Sequence, residues 1–292
     1  MRLHCGAHVL DLARPRVMGI LNVTPDSFAD GGRHFDHDRA LERARQMLAD
    51  GADLIDVGGE STRPGALLVP ERTELKRVLP LVEALAAEGV LVSVDTSKPA
   101  VMRAAIAAGA SLVNDVRALQ ARGARGAVAG SGCAICLLHM LGRPRTMQAN
   151  PRYADVVREV RDFLVQRALI AEAAGIARNR IAIDPGFGFG KTLAHNLALL
   201  RSLHALAGTG YPVLAGMSRK ATIGEITGRD VDGRMAGSVA AALAAVAHGA
   251  AIVRVHDVRE TVDALAVWLA VEGREPHEWR PPARPTTRPP PG

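Results

Sequence analysis

The sequence predicts an α/β fold in which eight parallel strands, each followed by a helix, close into one barrel. Short β-branched apolar runs recur along the chain, and several of them follow a helical stretch that ends in glycine. Eight such pairs correspond to a (β/α)8, or TIM, barrel, which a chain of 292 residues can form as a single domain. A doubly wound open sheet is the alternative, because the strand count comes from one sequence.

The elements follow in order along the chain. Residues 3–12 alternate around Gly6 and Ala7, which predicts a β-hairpin before the barrel. Barrel strands are predicted near residues 17–21, 54–57, 90–94, 112–113, 134–138, 181–183, 213–215 and 252–255. Helices are predicted at 38–49, 71–88, 99–108, 153–174 and 258–271, and Pro80 should kink the second of these. Residues 235–253 carry no formal charge, but their Ala-rich composition favours a buried helix running into a strand over a membrane span.

Composition limits the function classes. The formal net charge of +6 invites a nucleic-acid partner, but only 3% of residues are aromatic, which leaves few rings for stacking. The barrel domain is expected over residues 1–279, whereas 280–292 hold six prolines and three arginines and are expected to be a disordered tail. Three cysteines are too few for a disulfide framework, so Cys133 and Cys136 are predicted to be buried thiols. Without a secretory signal, we expect a cytoplasmic protein with no membrane partner.

Polar side chains stand directly after every predicted strand. Because the carboxyl ends of barrel strands meet at one rim, these side chains are expected to form one site. They are Asn22, the segment from Glu60 to Arg63, Asp95, Asn114 with Asp115, His139, Asp184, the segment from Ser218 to Lys220, and Arg254 with His256.

The rim residues fall into two chemical groups. Arg63, Arg219, Lys220, Arg254 and His256 offer donors suited to a phosphate or diphosphate. Asp95, Asn114, Asp184 and Asp115 offer acceptors suited to a flat heterocycle with several N–H groups. The pattern therefore indicates an activated heterocyclic diphosphate. The alternative is that Asp95 and Asp184 only cap the helices that follow them.

Three glycine-rich segments lie on this rim. Residues 184–192 (DPGFGFGKT) lack the first glycine of a P-loop, since Pro185 stands there, and they miss the dinucleotide fingerprint as well. We interpret them as a free loop that lets Phe187 or Phe189 line a pocket. Residues 58–65 carry Arg63 on a loop. Residues 22–32 are rich in oxygen ligands, which suit Mg²⁺ held jointly by protein and diphosphate.

Long motifs in the chain resemble the dihydropteroate synthase family, over residues 3–271 and in the same order. They are 18–28 (MGILNVTPDSF), 56–66 (DVGGESTRPGA), 93–99 (SVDTSKP), 114–116 (NDV), 139–140 (HM), 146–148 (TMQ), 184–191 (DPGFGFGK), 216–220 (GMSRK) and 254–258 (RVHDV). The resemblance implies a (β/α)8 barrel, usually a homodimer, that joins (7,8-dihydropterin-6-yl)methyl diphosphate to 4-aminobenzoate in folate synthesis. Ala29 and Leu141 depart from the family pattern, and Leu141 leaves the role of the strand-five loop open.

The resemblance also implies a role for each matching residue. Asn22 would bind Mg²⁺. Thr62, Arg63, Arg254 and His256 would hold the diphosphate, and Asp95, Asn114, Asp184 and Lys220 would hold the pterin. Pro64, Phe189 and Ser218 would shape the aminobenzoate pocket. Arg63, Asp95 and Lys220 are the residues expected to act in catalysis.

The family's mechanism would begin with C–O cleavage, which leaves a pterin-stabilised cation for the arylamine to capture. Two rivals belong to other classes. A pterin-binding methyltransferase with a corrinoid partner would need neither the diphosphate group nor the Asn22 loop. A catalytically silent binding protein should have lost Asn22, Arg63, Asp95, Lys220 or His256, and all are present.

Overall fold

A computed structural model describes residues 1–23, 33–61 and 65–273 of the chain. The predictions for residues 24–32, for Thr62, Arg63 and Pro64, and for the 280–292 tail lie outside these ranges. Within them, β1 (Arg2–Cys5) and β2 (His8–Asp11) pair antiparallel and confirm the predicted hairpin.

Eight parallel strands form the barrel. They are β3 (Arg16–Asn22), β4 (Leu54–Gly58), β5 (Val92–Asp95), β6 (Leu112–Asp115), β7 (Ala134–Leu138), β8 (Ile181–Asp184), β9 (Leu214–Ala215) and β10 (Ile252–Val255). Their order is β8-β7-β6-β5-β4-β3-β10-β9, and a parallel bridge between Ile183 and Val213 joins the two ends of this sheet. The predicted closed barrel is confirmed, and the open sheet is excluded.

Helices cover the outside of the barrel. They are α1 (Arg33–Ala49), α2 (Glu71–Ala87), α3 (Pro99–Ala107), α4 (Ala124–Ala129), α5 (Val156–Ala173), α6 (Leu193–Arg201), α7 (His204–Ala207), α8 (Ala221–Thr227), α9 (Met235–Ala247) and α10 (Val258–Val271). Two 3-10 turns, Arg178–Arg180 and Asp232–Arg234, precede β8 and α9. Pro80 lies inside α2, and the kink expected there stays a prediction. No helix in the described ranges has the length and apolar character needed to cross a membrane.

Burial on both faces explains why the strands are continuous apolar runs. Every residue of β7 is buried. Ile135 and Leu137 pack toward the helices, whereas Ala134 and Cys136 belong to a second cluster with Leu3 of the hairpin. The hairpin thus closes the amino-terminal end of the barrel and leaves the carboxyl rim for chemistry. Cys5, Cys133 and Cys136 are buried free thiols, as predicted, and burial raises the pKa of Cys5 to about 12.

Candidate active site

The strand register brings the predicted residues to one rim. Asn22 pairs with Gly58, Gly58 pairs with Asp95, and Asp95 pairs with Asn114, so these four positions lie at one height on four neighbouring strands. Gly58 has no side chain to separate its neighbours. A Cβ at Gly58 would lie 3.6 Å from Asn22 Oδ1 and 3.9 Å from Asp95 Oδ2. The two oxygens therefore face the same small space above Gly58.

One carboxylate inside a strand, that of Asp56, accepts hydrogen bonds from three side chains at this rim. Asp56, in β4, is fully buried. Its Oδ2 accepts from Arg254 Nε at 2.6 Å and from Asn114 Nδ2 at 3.2 Å, and its Oδ1 accepts from Ser93 Oγ at 2.5 Å. Arg254 Nη2 also donates to Asp95 Oδ2 at 2.9 Å, so one guanidinium bridges two carboxylates. These carboxylates raise the pKa of Arg254 against the opposing effect of burial.

Asn114 presents an acceptor that the protein leaves unused. Its Nδ2 is held by Asp56, and its Oδ1 is buried without a hydrogen-bond partner among the described residues. A buried oxygen without a partner is costly unless a ligand supplies the donor. Burial also raises the pKa of neighbouring Asp95 to about 7, opposed chiefly by Arg254. This side of the rim therefore offers a set of acceptors to a ligand with several N–H groups.

Lys220 and Asp184 form the opposite wall. Lys220 Nζ donates to the Phe187 carbonyl at 2.5 Å and lies 4.6 Å from the centre of the Phe189 ring. Burial lowers the pKa of Lys220 to about 8, and the nearby Asp184 carboxylate opposes that shift. Burial likewise raises the pKa of Asp184, with Lys220 opposing. Phe189 is the half-buried ring at the pocket, whereas Phe187 is buried in the core.

The loops that follow β9 and β10 contact each other through Ser218 and His256. Ser218 Oγ lies 3.0 Å from His256 Nδ1, and the His256 backbone N–H donates to Ser218 Oγ at 3.2 Å. Arg219, between Ser218 and Lys220, has a left-handed backbone conformation with φ of 57°. Its guanidinium forms an ion pair with Asp257, the residue after His256. That Arg219 belongs to the anion-binding group stays a prediction.

The alternative that Asp95 and Asp184 only cap helices is also wrong. Helix α3 begins after Lys98 without a side-chain cap, and α6 is capped by Thr192. Asp184 Oδ1 instead accepts from the Gly186 backbone N–H at 2.7 Å, inside a turn. Both carboxylate oxygens of Asp115 accept from backbone N–H groups of its own loop, those of Arg117 and Leu119.

Asp56 and Ser93 are site residues that the sequence reasoning missed. Asp56 lies inside β4 and Ser93 inside β5, whereas the predicted site residues stand at or after strand ends. A signal was present nevertheless. A buried carboxylate in an otherwise apolar strand requires a charged or hydrogen-bonded partner, so Asp56 itself implied one.

The described residues fit a magnesium ion only if the substrate contributes most ligands. No group of three or more His, Cys, Asp or Glu side chains suited to a metal occurs in the described part of the chain. Asn22 Oδ1 is a hard oxygen facing the space above Gly58. Mg²⁺ is commonly bound through one or two protein oxygens together with substrate phosphates, and Asn22 suits that arrangement.

Comparisons with known proteins agree with this geometry. Residues 18–256 match a family model described as pterin binding enzyme. The dihydropteroate synthase of Escherichia coli K12 is 49% identical over 268 residues, which span 91% of this chain and 95% of that protein. A structure of Xanthomonas albilineans dihydropteroate synthase with 4-aminobenzoic acid has a TM-score of 0.89 at 54% identity, covering 94% of this chain and 99% of that one. Burkholderia cenocepacia dihydropteroate synthase complexed with 7,8-dihydropteroate has a TM-score of 0.86 at 54% identity, covering 93% and 96%.

Proposed function

The chain belongs to the dihydropteroate synthases, within the pterin binding enzymes. We propose that the polar side chains at the carboxyl rim of its barrel hold the two substrates in adjoining subsites. As a dihydropteroate synthase, the chain is a transferase of folate biosynthesis, which condenses (7,8-dihydropterin-6-yl)methyl diphosphate with 4-aminobenzoate and releases diphosphate.

The pterin subsite consists of Asp95, Asn114, Asp184 and Lys220. A pterin presents amide and amino N–H groups along one edge, and carboxylate and amide oxygens accept such donors. The observation that carries the proposal is the buried Asn114 Oδ1, which has no partner in the described part of the chain while Asp56 holds its Nδ2. A pterin N–H would supply the missing donor.

The diphosphate subsite and the aminobenzoate subsite adjoin the pterin subsite, the first at Arg254 and the second at Lys220. Arg254 and His256 would bind the diphosphate together with Thr62 and Arg63, since guanidinium groups match phosphate oxygens in geometry and charge. Phe189 and Ser218, with Pro64, would form the aminobenzoate pocket. Support for this comes from the Phe189 ring, which contacts Lys220, and from Ser218, which contacts His256.

Magnesium fits beside the diphosphate. Asn22 Oδ1 would be its protein ligand, with the diphosphate oxygens supplying others. When bound, the ion would neutralise part of the charge on the leaving group.

The reaction would start with cleavage of the bond between the methylene carbon and the diphosphate oxygen. The electron pair leaves on the diphosphate, where Arg63, Arg254 and His256 stabilise it. Asp95 and Asp184 stabilise the positive charge left on the pterin, and Lys220 holds the ring in place. The arylamine nitrogen then bonds to the methylene carbon and loses a proton to water. An arylamine is largely neutral near pH 7, so this step needs no strong base.

We also propose a homodimer that works in the cytoplasm. Exposed apolar side chains on the adjacent helices α8, α9 and α10, among them Ile226, Met235 and Val267, support a subunit contact. Three reduced, buried thiols fit a reducing compartment. Light scattering after size exclusion should give twice the chain mass, and Val267→Glu should shift it toward the monomer; a monomer at every concentration would exclude this contact.

The decisive experiment is incubation of the protein with Mg²⁺, the pterin diphosphate and 4-aminobenzoate. We expect dihydropteroate by mass spectrometry, together with an equal amount of diphosphate. Asn114→Ala should weaken pterin binding at least tenfold by removing the unpartnered acceptor. The proposed substrate assignment fails if micromolar enzyme forms no product.

A further inference from the structure

The turn between β8 and α6, residues 186–190, is held along its whole length by side chains from other elements. Asn196 Oδ1 accepts from the Gly188 N–H at 2.9 Å, and Gln148 Nε2 donates to the Gly188 carbonyl at 2.6 Å. Tyr153 OH donates to the Gly190 carbonyl at 2.8 Å. Gly186, Gly188 and Gly190 all have positive φ angles of 66° to 79°, a backbone conformation that residues with a side chain rarely adopt. The turn is therefore fixed in one conformation.

The buried side chain of Lys191 holds this turn through contacts of its Nζ atom. Only 3% of it is exposed, and its Nζ lies 2.9 Å from His139 Nδ1 and 3.3 Å from the His139 carbonyl. The same nitrogen donates to the carbonyls of Gly186 at 3.0 Å and Phe189 at 3.1 Å. One ammonium thus ties the end of β7 to both ends of the turn.

The histidine in this contact is an acceptor. Burial lowers the pKa of His139 to about 3, and the Lys191 charge adds to that shift, so the ring is neutral near pH 7. A neutral ring that accepts at Nδ1 carries its proton on Nε2. Burial lowers the pKa of Lys191 to about 7, with Asp184 opposing that shift. Its N–H groups, three at most, are shared among four acceptors, which offset part of the cost of burying the charge.

The opposite side of the turn faces the site. The Phe187 carbonyl accepts from Lys220, and the Phe189 ring lies against the Lys220 ammonium. A displacement of the turn by a fraction of an ångström would move both groups. Of the four pterin ligands, Asp95 and Asn114 make no described hydrogen bond to the turn. Asp184 and Lys220 do contact it, through the Gly186 N–H and the Phe187 carbonyl.

We propose that Lys191 is a positioning residue for arylamine recognition, acting by fixing the turn that sets Phe189 against Lys220. The inference rests on the proposed function, which places 4-aminobenzoate beside Phe189. It assigns a role to the buried Lys191–His139 pair, which touches neither substrate. A preorganised wall lets the enzyme bind a small, weakly held arylamine without ordering a loop first.

The test is Lys191→Met, which keeps the side-chain length and removes the donors. We expect KM for 4-aminobenzoate to rise at least tenfold. KM for the pterin diphosphate should rise clearly less, because only two of its four ligands, Asp184 and Lys220, contact the turn. Gln148→Ala removes one donor from the exposed side of the same turn and should raise the arylamine KM two- to threefold. Asp53→Asn, at the opposite end of the barrel, controls for general loss of stability and should change neither KM.

Each outcome either supports or overturns the positioning role of Lys191. An arylamine KM within twofold of wild type in folded Lys191→Met, or an equal rise of both KM values, overturns the positioning role. If Lys191→Met does not fold, an unchanged arylamine KM in Gln148→Ala overturns it. These results differ from failure of the proposed function, in which the wild-type protein itself would form no dihydropteroate.

Discussion

Asp56→Asn probes the centre of the site without changing its shape. The Asp56 carboxylate accepts three hydrogen bonds, from Arg254, Asn114 and Ser93. An asparagine has one oxygen where the carboxylate had two, and its NH₂ group must face one of the present donors. With the amide oxygen toward Arg254 and Asn114, the NH₂ group faces the Ser93 hydroxyl, which can accept from it. The variant therefore mainly removes the negative charge that pairs with Arg254.

The magnitude follows from these contacts. A hydrogen bond to a charged group contributes about 1.5–3 kcal/mol, against about 1 kcal/mol for a neutral one, so each contact of Asp56 weakens by roughly 0.5–2 kcal/mol. If about 2 kcal/mol of this loss reaches the transition state, kcat/KM falls about 30-fold, since 1.36 kcal/mol corresponds to a factor of ten.

A pH profile gives the variant a second signature. Burial raises the pKa of Asp95 to about 7, and the Asp56 charge adds to the rise. A protonated Asp95 carries no charge and has one acceptor oxygen fewer for pterin N–H groups, so kcat/KM should fall as pH drops below about 7. Removal of the Asp56 charge lowers the pKa of Asp95, and the acid limb of the profile should move to lower pH.

The assay is steady-state formation of dihydropteroate from pH 5 to 9, with pterin binding followed by fluorescence. Ser93→Ala is the control, because it removes one donor to Asp56 and keeps the charge. It should cost about 1 kcal/mol of stability and leave the acid limb in place. A kcat/KM within threefold of wild type in Asp56→Asn, or an acid limb that moves to higher pH, would refute the reasoning.

Three further predictions follow from single contacts. Gly186→Ala should lower the free energy of unfolding by at least about 3 kcal/mol in urea titration, because its Cβ would lie 1.9 Å from the His139 carbonyl oxygen at a φ of 67°; a loss under about 1 kcal/mol would contradict it. Asp53→Asn should cost about 2 kcal/mol, because it weakens the partly buried ion pairs with Arg14 and Arg16, yet leave kcat unchanged. EDTA should abolish turnover and Mg²⁺ restore it, with Asn22→Ala needing at least tenfold more Mg²⁺; equal requirements would remove Asn22 as ligand.

The strands were more predictable than the helices for a physical reason. Strands β7 and β10 were predicted to the residue, because a parallel strand buried on both faces is a largely apolar run, which in β10 is interrupted by Arg254. The short helices α4, α6, α7 and α8 were not predicted. Each has nine residues or fewer, and such helices depend on packing against the barrel more than on their own periodicity.

The site was predictable in position and less so in orientation. Residues directly after apolar runs had to meet at the carboxyl rim, and Asp95, Asn114, Asp184, Lys220 and Arg254 do so. Neither the backbone φ of 57° at Arg219 nor its ion pair with Asp257 can be read from residue type.

The guanidinium of Arg254 connects the carboxylates at the pterin subsite with the proposed diphosphate subsite. Its guanidinium is shared between Asp56 and Asp95. In the proposed reaction the departing diphosphate is a third anion that competes for the same donors, and its charge grows as the C–O bond breaks. Asp95 then gives up part of its pairing with Arg254 while the pterin ring becomes positive, so its carboxylate is better able to stabilise that ring. Such sharing requires that the guanidinium itself does not move, and the fully buried Asp56, which holds Arg254 Nε throughout, provides the fixed point.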